Sequence, residues 1–541
     1  MDAPTAEFPI LKNKSMVPRK YQSEIFSSLV QKGSTLVVLP TGLGKTLIAF
    51  MAISHFLPKG KCLFLAPTKP LALQHYKKIL EDIDVPEADV AMVSGEIKPA
   101  DRAALWQRKI VVSTPQTIRN DIAAGRATFD YALCVFDEAH RTVGNYAYTY
   151  LARLATQHGC VVLAMTASPG SDMKKIGPIV EVLGTKNVQI RTEDDPSVLP
   201  YVQDTQINYV HVELGSELGA VKNELERIVV QYCDTLAKMG FPGKFRSKTA
   251  LLEMRGRIMK SDSHMKYSAI SYFTTVFNLC HAQELFETQG VGTYLQYMEK
   301  LKTRNTSKGV QRILSDSRIK AISEKLQNAA EHPKLAKLAQ LLASLKGEKT
   351  IVFVQYRNQI SLVVQTLKQS GFRAERFVGK KDGVTQSTQR ATLESFRAGE
   401  FDVLVASSIG EEGLDVPVVD NVIFFEPVGS EIRTIQRRGR AGRTKAGKIF
   451  ILITKGTRDE GYFWASKRRE SRMQQIVRRM QTASQQPQPK SNLVMHEKQA
   501  LKEPDDSSNP KSQPSALQAQ GAANVLKPKK PKKQSRLSDY A

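Results

Sequence analysis

The sequence predicts an α/β protein in which two doubly wound parallel sheets flank a helical segment, closed by a polar tail. Three observations predict it. Short apolar runs that read as strands alternate with helix-length segments from about residue 35 to 190, and do so again from Glu348. That alternation gives parallel sheets covered by helices on both faces. Between the two stretches, residues 215–330 carry long amphipathic patterns, such as Leu218 to Ala237 and Tyr267 to Phe286, with few strand signals. Beyond about residue 484 the chain is rich in Gln, Ser, Pro and Lys and nearly free of aromatics, so a disordered tail is expected. The expected bounds are 1–212, 213–332, 333–483 and 484–541.

In chain order, Val17-Pro18-Arg19-Lys20-Tyr21-Gln22 opens a helix, with Pro18 near its first turn. Gln22 has two readings on sequence alone. Its amide can meet an adenine edge, or it is a surface glutamine on an amphipathic helix. Thr35-Leu36-Val37-Val38-Leu39 reads as a buried strand, and Leu47 to Ile53 as a helix. Between them stands Pro40-Thr41-Gly42-Leu43-Gly44-Lys45-Thr46. Strand, glycine turn, Gly-Lys-Thr and helix make a phosphate-binding loop. Its glycines let backbone N–H groups close on a polyphosphate, and the helix N-terminus adds positive charge. Lys45 suits the β- and γ-phosphates, and the Thr46 hydroxyl suits Mg²⁺.

The next strand, Lys61 to Ala66, ends in Pro67-Thr68-Lys69-Pro70, and Ile110 to Ser113 ends in Thr114-Pro115-Gln116. Thr68, Lys69 and Thr114 then share one sheet edge, where hydroxyls and helix N-termini bind phosphates without reading sequence. Ala132 to Phe136 is a continuous apolar strand ending in Asp137-Glu138-Ala139-His140. Asp137, at a strand end beside a phosphate loop, is placed to hold Mg²⁺ through water. Glu138 can orient or deprotonate an attacking water. Cys160 to Met165 is followed by Thr166-Ala167-Ser168, whose hydroxyls can bond the Asp-Glu-x-His turn.

The helical segment 215–330 holds 18 Lys and Arg against 11 Asp and Glu, which suits a clamp on a duplex. After it, Thr350 to Val354 leads into Gln355, and Phe401 to Ala406 into Ser407. Gln436-Arg437-Arg438-Gly439-Arg440-Ala441-Gly442-Arg443 follows. Arg440 and Arg443 lie three apart and share a face if helical. Guanidinium groups offered across a cleft to a γ-phosphate act as arginine fingers.

At 541 residues the chain has room for two to four domains, and 41% hydrophobic residues can fill their cores. The formal charge is 78 − 53 = +25. An excess this large points to a polyanionic partner, most simply nucleic acid. The five cysteines form no C-x-x-C pair, which argues against a zinc ribbon or a disulfide frame. No signal peptide and no bilayer-spanning apolar run is read, so a cytoplasmic protein without membrane contact is expected, nucleoid-associated if the source is prokaryotic.

The ordered set Gly42-Leu43-Gly44-Lys45-Thr46, Asp137-Glu138-Ala139-His140, Thr166-Ala167-Ser168 and Gln436 to Arg443 resembles superfamily 2 helicases, over residues 15 to about 480. The form of the phosphate loop, Ala66 to Leu71, Glu411-Glu412-Gly413-Leu414-Asp415 and the helical insertion are similar to the helicase half of the Hef and FANCM group. That resemblance implies two RecA-like domains and an ATP- and Mg²⁺-dependent DNA translocase. It implies movement 3′→5′ on forks and branched junctions in replication-coupled repair. It implies phosphate and Mg²⁺ binding by Lys45 and Thr46, Mg²⁺ coordination by Asp137, and a general base in Glu138. It further implies adenine contact by Gln22, fingers in Arg440 and Arg443, water or phosphate positioning by Gln436, and nucleotide or ribose contact by Gly413 and Asp415. Ser407 stands where the family often has Thr, with the hydroxyl kept. Innate-immune RNA sensors share the layout, so RNA is the competing track, because backbone-tracking motifs read phosphates. A clamp-bound scaffold that binds DNA without productive turnover is the alternative of another class. Hef proteins continue into a nuclease, and a helicase without that nuclease is expected here. The final residues, Gln534-x-x-Leu537-x-x-Tyr540, resemble the short peptide by which replication proteins bind the sliding clamp. A single turn would bring Leu537 and Tyr540 to one side, on a tether that raises local concentration.

Overall fold

The computed structural model describes residues 11–12, 17–144, 146–167, 173–185, 187–202, 205–243, 247–303, 307–379, 384–407, 419–427 and 447–485. Residues 1–486 form one compact unit. The second unit and the tail segment with Gln534, Leu537 and Tyr540 lie outside the described residues, as do Ser168, Gly413, Asp415, Gln436, Arg440 and Arg443.

Seven strands make the first sheet: β1 (Thr35–Val38), β2 (Lys61–Leu65), β3 (Val90–Val93), β4 (Ile110–Ser113), β5 (Tyr131–Asp137), β6 (Val161–Thr166) and β7 (Asn187–Ile190). Their order is β3-β4-β2-β5-β6-β1-β7, and every pairing is parallel. Six more make the second: β8 (Thr205–Val212), β9 (Thr350–Phe353), β10 (Ala374–Phe377), β11 (Val403–Ala406), β12 (Asn421–Phe424) and β13 (Gly447–Thr454). Their order is β10-β11-β9-β12-β13-β8, again all parallel. Near-continuous apolar runs are what strands need when both faces are covered. Successive side chains accordingly enter two separate cores. In the first sheet Val37, Phe64, Val112 and Val135 pack into one, Leu36, Leu63, Val111 and Cys134 into the other. The second sheet divides likewise, with Val352, Val405 and Ile423 opposite Ile351, Leu404 and Val422.

The covering helices of the first sheet are α1 (Lys20–Lys32), α2 (Lys45–Phe56), α3 (Lys69–Asp82), α4 (Pro99–Leu105), α5 (Pro115–Ala123), α6 (Ala147–Gln157) and α7 (Met173–Val182). The insertion is α8 (Gly215–Lys238), α9 (Lys248–Lys260), α10 (Lys266–Thr288), α11 (Val291–Thr303), α12 (Lys308–Ser315) and α13 (Ser317–Gln327). It has a core of its own, including Leu225, Ile228, Val276, Leu279, Tyr294 and Ile313. The second sheet carries α14 (Lys334–Ser344), α15 (Arg357–Gln369) and α16 (Gln386–Ala398).

Two expected bounds need correction. Residues 205–212 were assigned with the first sheet, but β8 pairs residue for residue with β13 of the second. The helical segment therefore interrupts the second sheet's own chain, between β8 and β9, instead of separating two complete sheets. The reason is legible only in three dimensions, since a strand's run of apolar residues does not say which sheet it joins. The range 333–483 also fails as a closed unit. The helix Arg458–Gln485 starts against the second sheet, where Phe463 meets Tyr209 with ring centroids 5.0 Å apart. It ends on the first, where Met473 joins the core and Arg478 pairs with Asp194 at 3.0 Å. Among the described residues no helix is long and apolar enough to cross a membrane.

Candidate functional site

The phosphate-loop residues sit where β1 gives way to α2. Gly42 and Gly44 have φ of 82° and 76°, the left-handed region that glycine enters without a Cβ clash. Gly44 is also the N-cap of α2, so that helix aims its N-terminus at the loop. The Lys45 ammonium donates to the carbonyls of Leu39 at 2.8 Å and Pro40 at 3.2 Å, inside the curve of its own loop. Thr41 and Thr46 are half-buried on either side.

The back of the loop is braced by α1. Tyr21 donates its hydroxyl to Leu43 O at 2.7 Å. Gln22, only 2% exposed, donates to Leu43 O at 3.2 Å and Gly44 O at 3.4 Å, and accepts from Arg19 N at 2.8 Å. The surface reading of Gln22 is therefore wrong. Both ends of its amide are used within the protein, and contact with an adenine edge would have to replace these bonds. A Cβ on Gly44 would stand 2.4 Å from Gln22 Nε2, so the brace and the glycine require each other.

β6 lies between β1 and β5, which brings the two acidic residues beside the loop. Asp137 ends β5 and is buried. His75, carried by α3, meets its Oδ2 at 2.9 Å. Burial pushes the Asp137 carboxyl up, but the His75 hydrogen bond and charge, Lys45 and the Glu138 N–H together hold it below its ordinary value. An ionised carboxylate is what a hard cation needs. The His75 ring is itself fixed against Phe64 of β2, with centroids 4.4 Å apart. Tyr148 of α6 puts its hydroxyl 2.8 Å from Asp137 O and 3.1 Å from Leu65 O, tying the ends of β5 and β2 together.

Glu138 has φ 52°, the one positive φ among the described non-glycine residues. A bulky residue held there costs about 1–3 kcal/mol, and such strain concentrates at functional sites. Its Oε2 is buried and makes no hydrogen bond among the described residues, with His140 Nδ1 3.3 Å away. His140 Nδ1 also lies 3.1 Å from Thr166 Oγ1, and Thr166 O accepts from Leu39 N at 3.1 Å. The expected link from the Thr166 hydroxyl to the acidic turn is present, and it continues into the phosphate loop.

The residues expected to contact a nucleic-acid backbone, Thr68, Lys69, Thr114, Gln355 and Ser407, lie at or just past carboxyl ends of strands. Thr68 follows β2 and N-caps α3, while Thr114 follows β4 and N-caps α5. Thr68 Oγ1 is buried without a hydrogen-bond partner among the described residues, Lys69 is ion-paired with Glu96, and Thr114 Oγ1 bonds Thr117 Oγ1 at 2.9 Å. In the second sheet, exposed Gln355 follows β9 and buried Ser407 follows β11. Gln355 N donates to Glu426.

Sequence reasoning missed Tyr21, His75 and Tyr148, which lie in ordinary helical patterns. It also missed the seam between the insertion and the second sheet. There the Tyr356 and Tyr462 hydroxyls reach Glu284 Oε1 at 3.4 and 2.7 Å, Arg458 N donates to Glu287 Oε2 at 2.9 Å, and Lys334 pairs with Asp459 at 2.5 Å.

Comparison with known proteins agrees with this geometry. Residues 19–176 match the DEAD/DEAH box helicase family, and 333–445 match the helicase conserved C-terminal domain. The crystal structure of the Pyrococcus furiosus Hef helicase domain superposes with a TM-score of 0.67 at 40% identity, covering 84% of this chain and all of that one. A Methanocaldococcus jannaschii protein provisionally named an ATP-dependent RNA helicase is 38% identical, over 88% of this chain and 62% of its own length. FANCM of Arabidopsis thaliana, named a DEAD-box ATP-dependent RNA helicase, is 33% identical over 85% and 36%. The ATP-dependent DNA helicase mph1 of Sclerotinia sclerotiorum is 31% identical over 88% and 42%. The chain thus spans less than two thirds of these full-length relatives.

Proposed function

The chain belongs to the superfamily 2 ATP-dependent helicases, in the Hef and FANCM group, and on that premise we propose that it is a 3′→5′ DNA translocase acting on forked or branched DNA in replication-coupled repair. The observation that carries the catalytic part is the joining of the glycine-turned loop, the ionised Asp137 and the strained Glu138 at the same carboxyl edge of the first sheet, on strands separated only by β6. The loop N–H groups and Lys45 bind the β- and γ-phosphates of ATP. Thr46 and Asp137 are the donors that fit Mg²⁺, which when bound supplies positive charge to the phosphate oxygens. Glu138, whose Oε2 has no hydrogen bond to give up among the described residues, takes the proton of the attacking water. Arg440 and Arg443 stabilise charge on the transferring phosphate, Gln436 positions water or phosphate, and Gly413 and Asp415 contact the nucleotide. Thr68, Lys69, Thr114, Gln355 and Ser407 hold the backbone of one strand. The basic insertion grips the duplex ahead, and Gln534, Leu537 and Tyr540 engage a sliding clamp.

RNA as the track is the second reading, favoured by the names of two relatives. The test is ATP hydrolysis measured side by side with single-stranded DNA, forked DNA and duplex RNA. Stimulation by both DNAs above duplex RNA is expected, and preference for duplex RNA would transfer the assignment to RNA.

A further inference from the structure

α3 is the element that touches both working edges of the first sheet. At its N-terminus are Thr68, with a buried hydroxyl that has no partner among the described residues, and Lys69, held by Glu96. Seven residues past the cap, two turns along a rigid helix, His75 meets Asp137 Oδ2 at 2.9 Å. Both side chains of that pair are close to fully buried. Among the described residues this is the side-chain hydrogen bond to the Asp137 carboxylate, and it comes from the helix that starts at Thr68.

We propose that His75 is a positioning residue that couples nucleic-acid contact at the N-terminus of α3 to the orientation of the Asp137 carboxylate in the ATP site. A backbone phosphate taking the Thr68 hydroxyl and exchanging with Glu96 at Lys69 pulls on the helix end. Helical hydrogen bonds transmit that displacement to His75, because Pro70 stiffens the first turn and α3 runs unbroken from there past His75. Phe64 confines the ring on the sheet side, so it moves along its face and carries the carboxylate with it. The proposal rests on the reading of this chain as a nucleic-acid-stimulated ATPase.

The test uses His75→Phe, which keeps a ring against Phe64 but removes the donor, and His75→Gln, whose amide nitrogen reaches the position of Nε2. The readout is the ratio of hydrolysis at saturating single-stranded DNA to hydrolysis without it, with DNA affinity measured in the absence of nucleotide. The ratio should fall at least about fivefold in His75→Phe, the lower end of ordinary coupling between sites. His75→Gln should restore most of it, and DNA affinity should stay at the parent value in both. An unchanged ratio in His75→Phe, or an equal loss in His75→Gln, overturns the role. If His75→Phe does not fold, His75→Asn, whose amide stops short of Asp137, replaces it with the same expected loss. A parent enzyme unresponsive to any nucleic acid would instead defeat the proposed function itself.

Discussion

Glu138 sits at φ 52° and ψ 49°, and its replacement separates strain from chemistry. The left-handed conformation costs a residue with a Cβ about 1–2 kcal/mol. Glycine escapes that cost but brings about 0.5–1 kcal/mol of extra unfolded-state entropy. Glu138→Gly should therefore be more stable than Glu138→Ala by about 0.5–1 kcal/mol, while both lose the base and hydrolyse ATP roughly 10²-fold or more slowly. The assay follows from tryptophan placement. The chain has two, Trp106 buried in the first sheet's core and Trp464 exposed on the last described helix. In a Trp464→Phe background, fluorescence in urea reports the first sheet alone, which avoids treating a multidomain transition as two-state. A glycine variant no more stable than the alanine one would refute the strain. Near-parent turnover in either would refute the assignment of the base.

Other substitutions test other parts. Lys334→Met should destabilise by about 3–5 kcal/mol, since it leaves the fully buried Asp459 carboxyl without its partner, and adding Asp459→Leu should recover most of the loss. Urea midpoints of the second sheet check it. Asp121 is buried, and burial raises its carboxyl, but Arg102, Trp106 and Arg126 together hold it below its ordinary value. A depressed folded-state value stabilises above the unfolded pKa of about 3.9 and is lost as pH falls through the folded one, so Asp121→Asn should flatten the acid limb of the stability curve. Arg443→Ala should change ATP affinity little while slowing hydrolysis at saturating DNA, as expected of a group acting on transition-state charge. Replacing residues 215–330 by a short linker should spare single-strand-stimulated hydrolysis and lower both fork affinity and its salt slope, read by anisotropy over a salt series.

Much of the catalytic edge is legible in the sequence, because its chemistry is local. A glycine turn must follow a strand and precede a helix, and the acidic pair must end an apolar strand, so spacing alone places Lys45, Thr46, Asp137 and Glu138. The braces are not legible. Tyr21, His75 and Tyr148 act across the sheet order, on partners 22, 62 and 83 residues away, and nothing in a helical pattern marks which buried polar group will meet which strand end. Gln22 shows the same limit in one residue, since its position was read but its partner, the back of the loop, depends on how α1 packs on α2. The affiliation of β8 was hidden for the reason that register is a property of pairs. The charges of the seam, buried Glu284 and Glu287 and half-buried Arg458, lie in helical patterns that do not mark which groups another element will cover.

In the proposed function, ATP hydrolysis at Glu138 drives movement on DNA. Strand displacement from a forked DNA with a 3′ single-stranded arm, followed with ATP for the parent and for Glu138→Gln, tests it most directly. Displacement by the parent only when ATP is present, and none by Glu138→Gln despite retained DNA binding, is the expected result. Displacement that survives in Glu138→Gln, or a parent that binds the fork and hydrolyses ATP without releasing a strand, would contradict it.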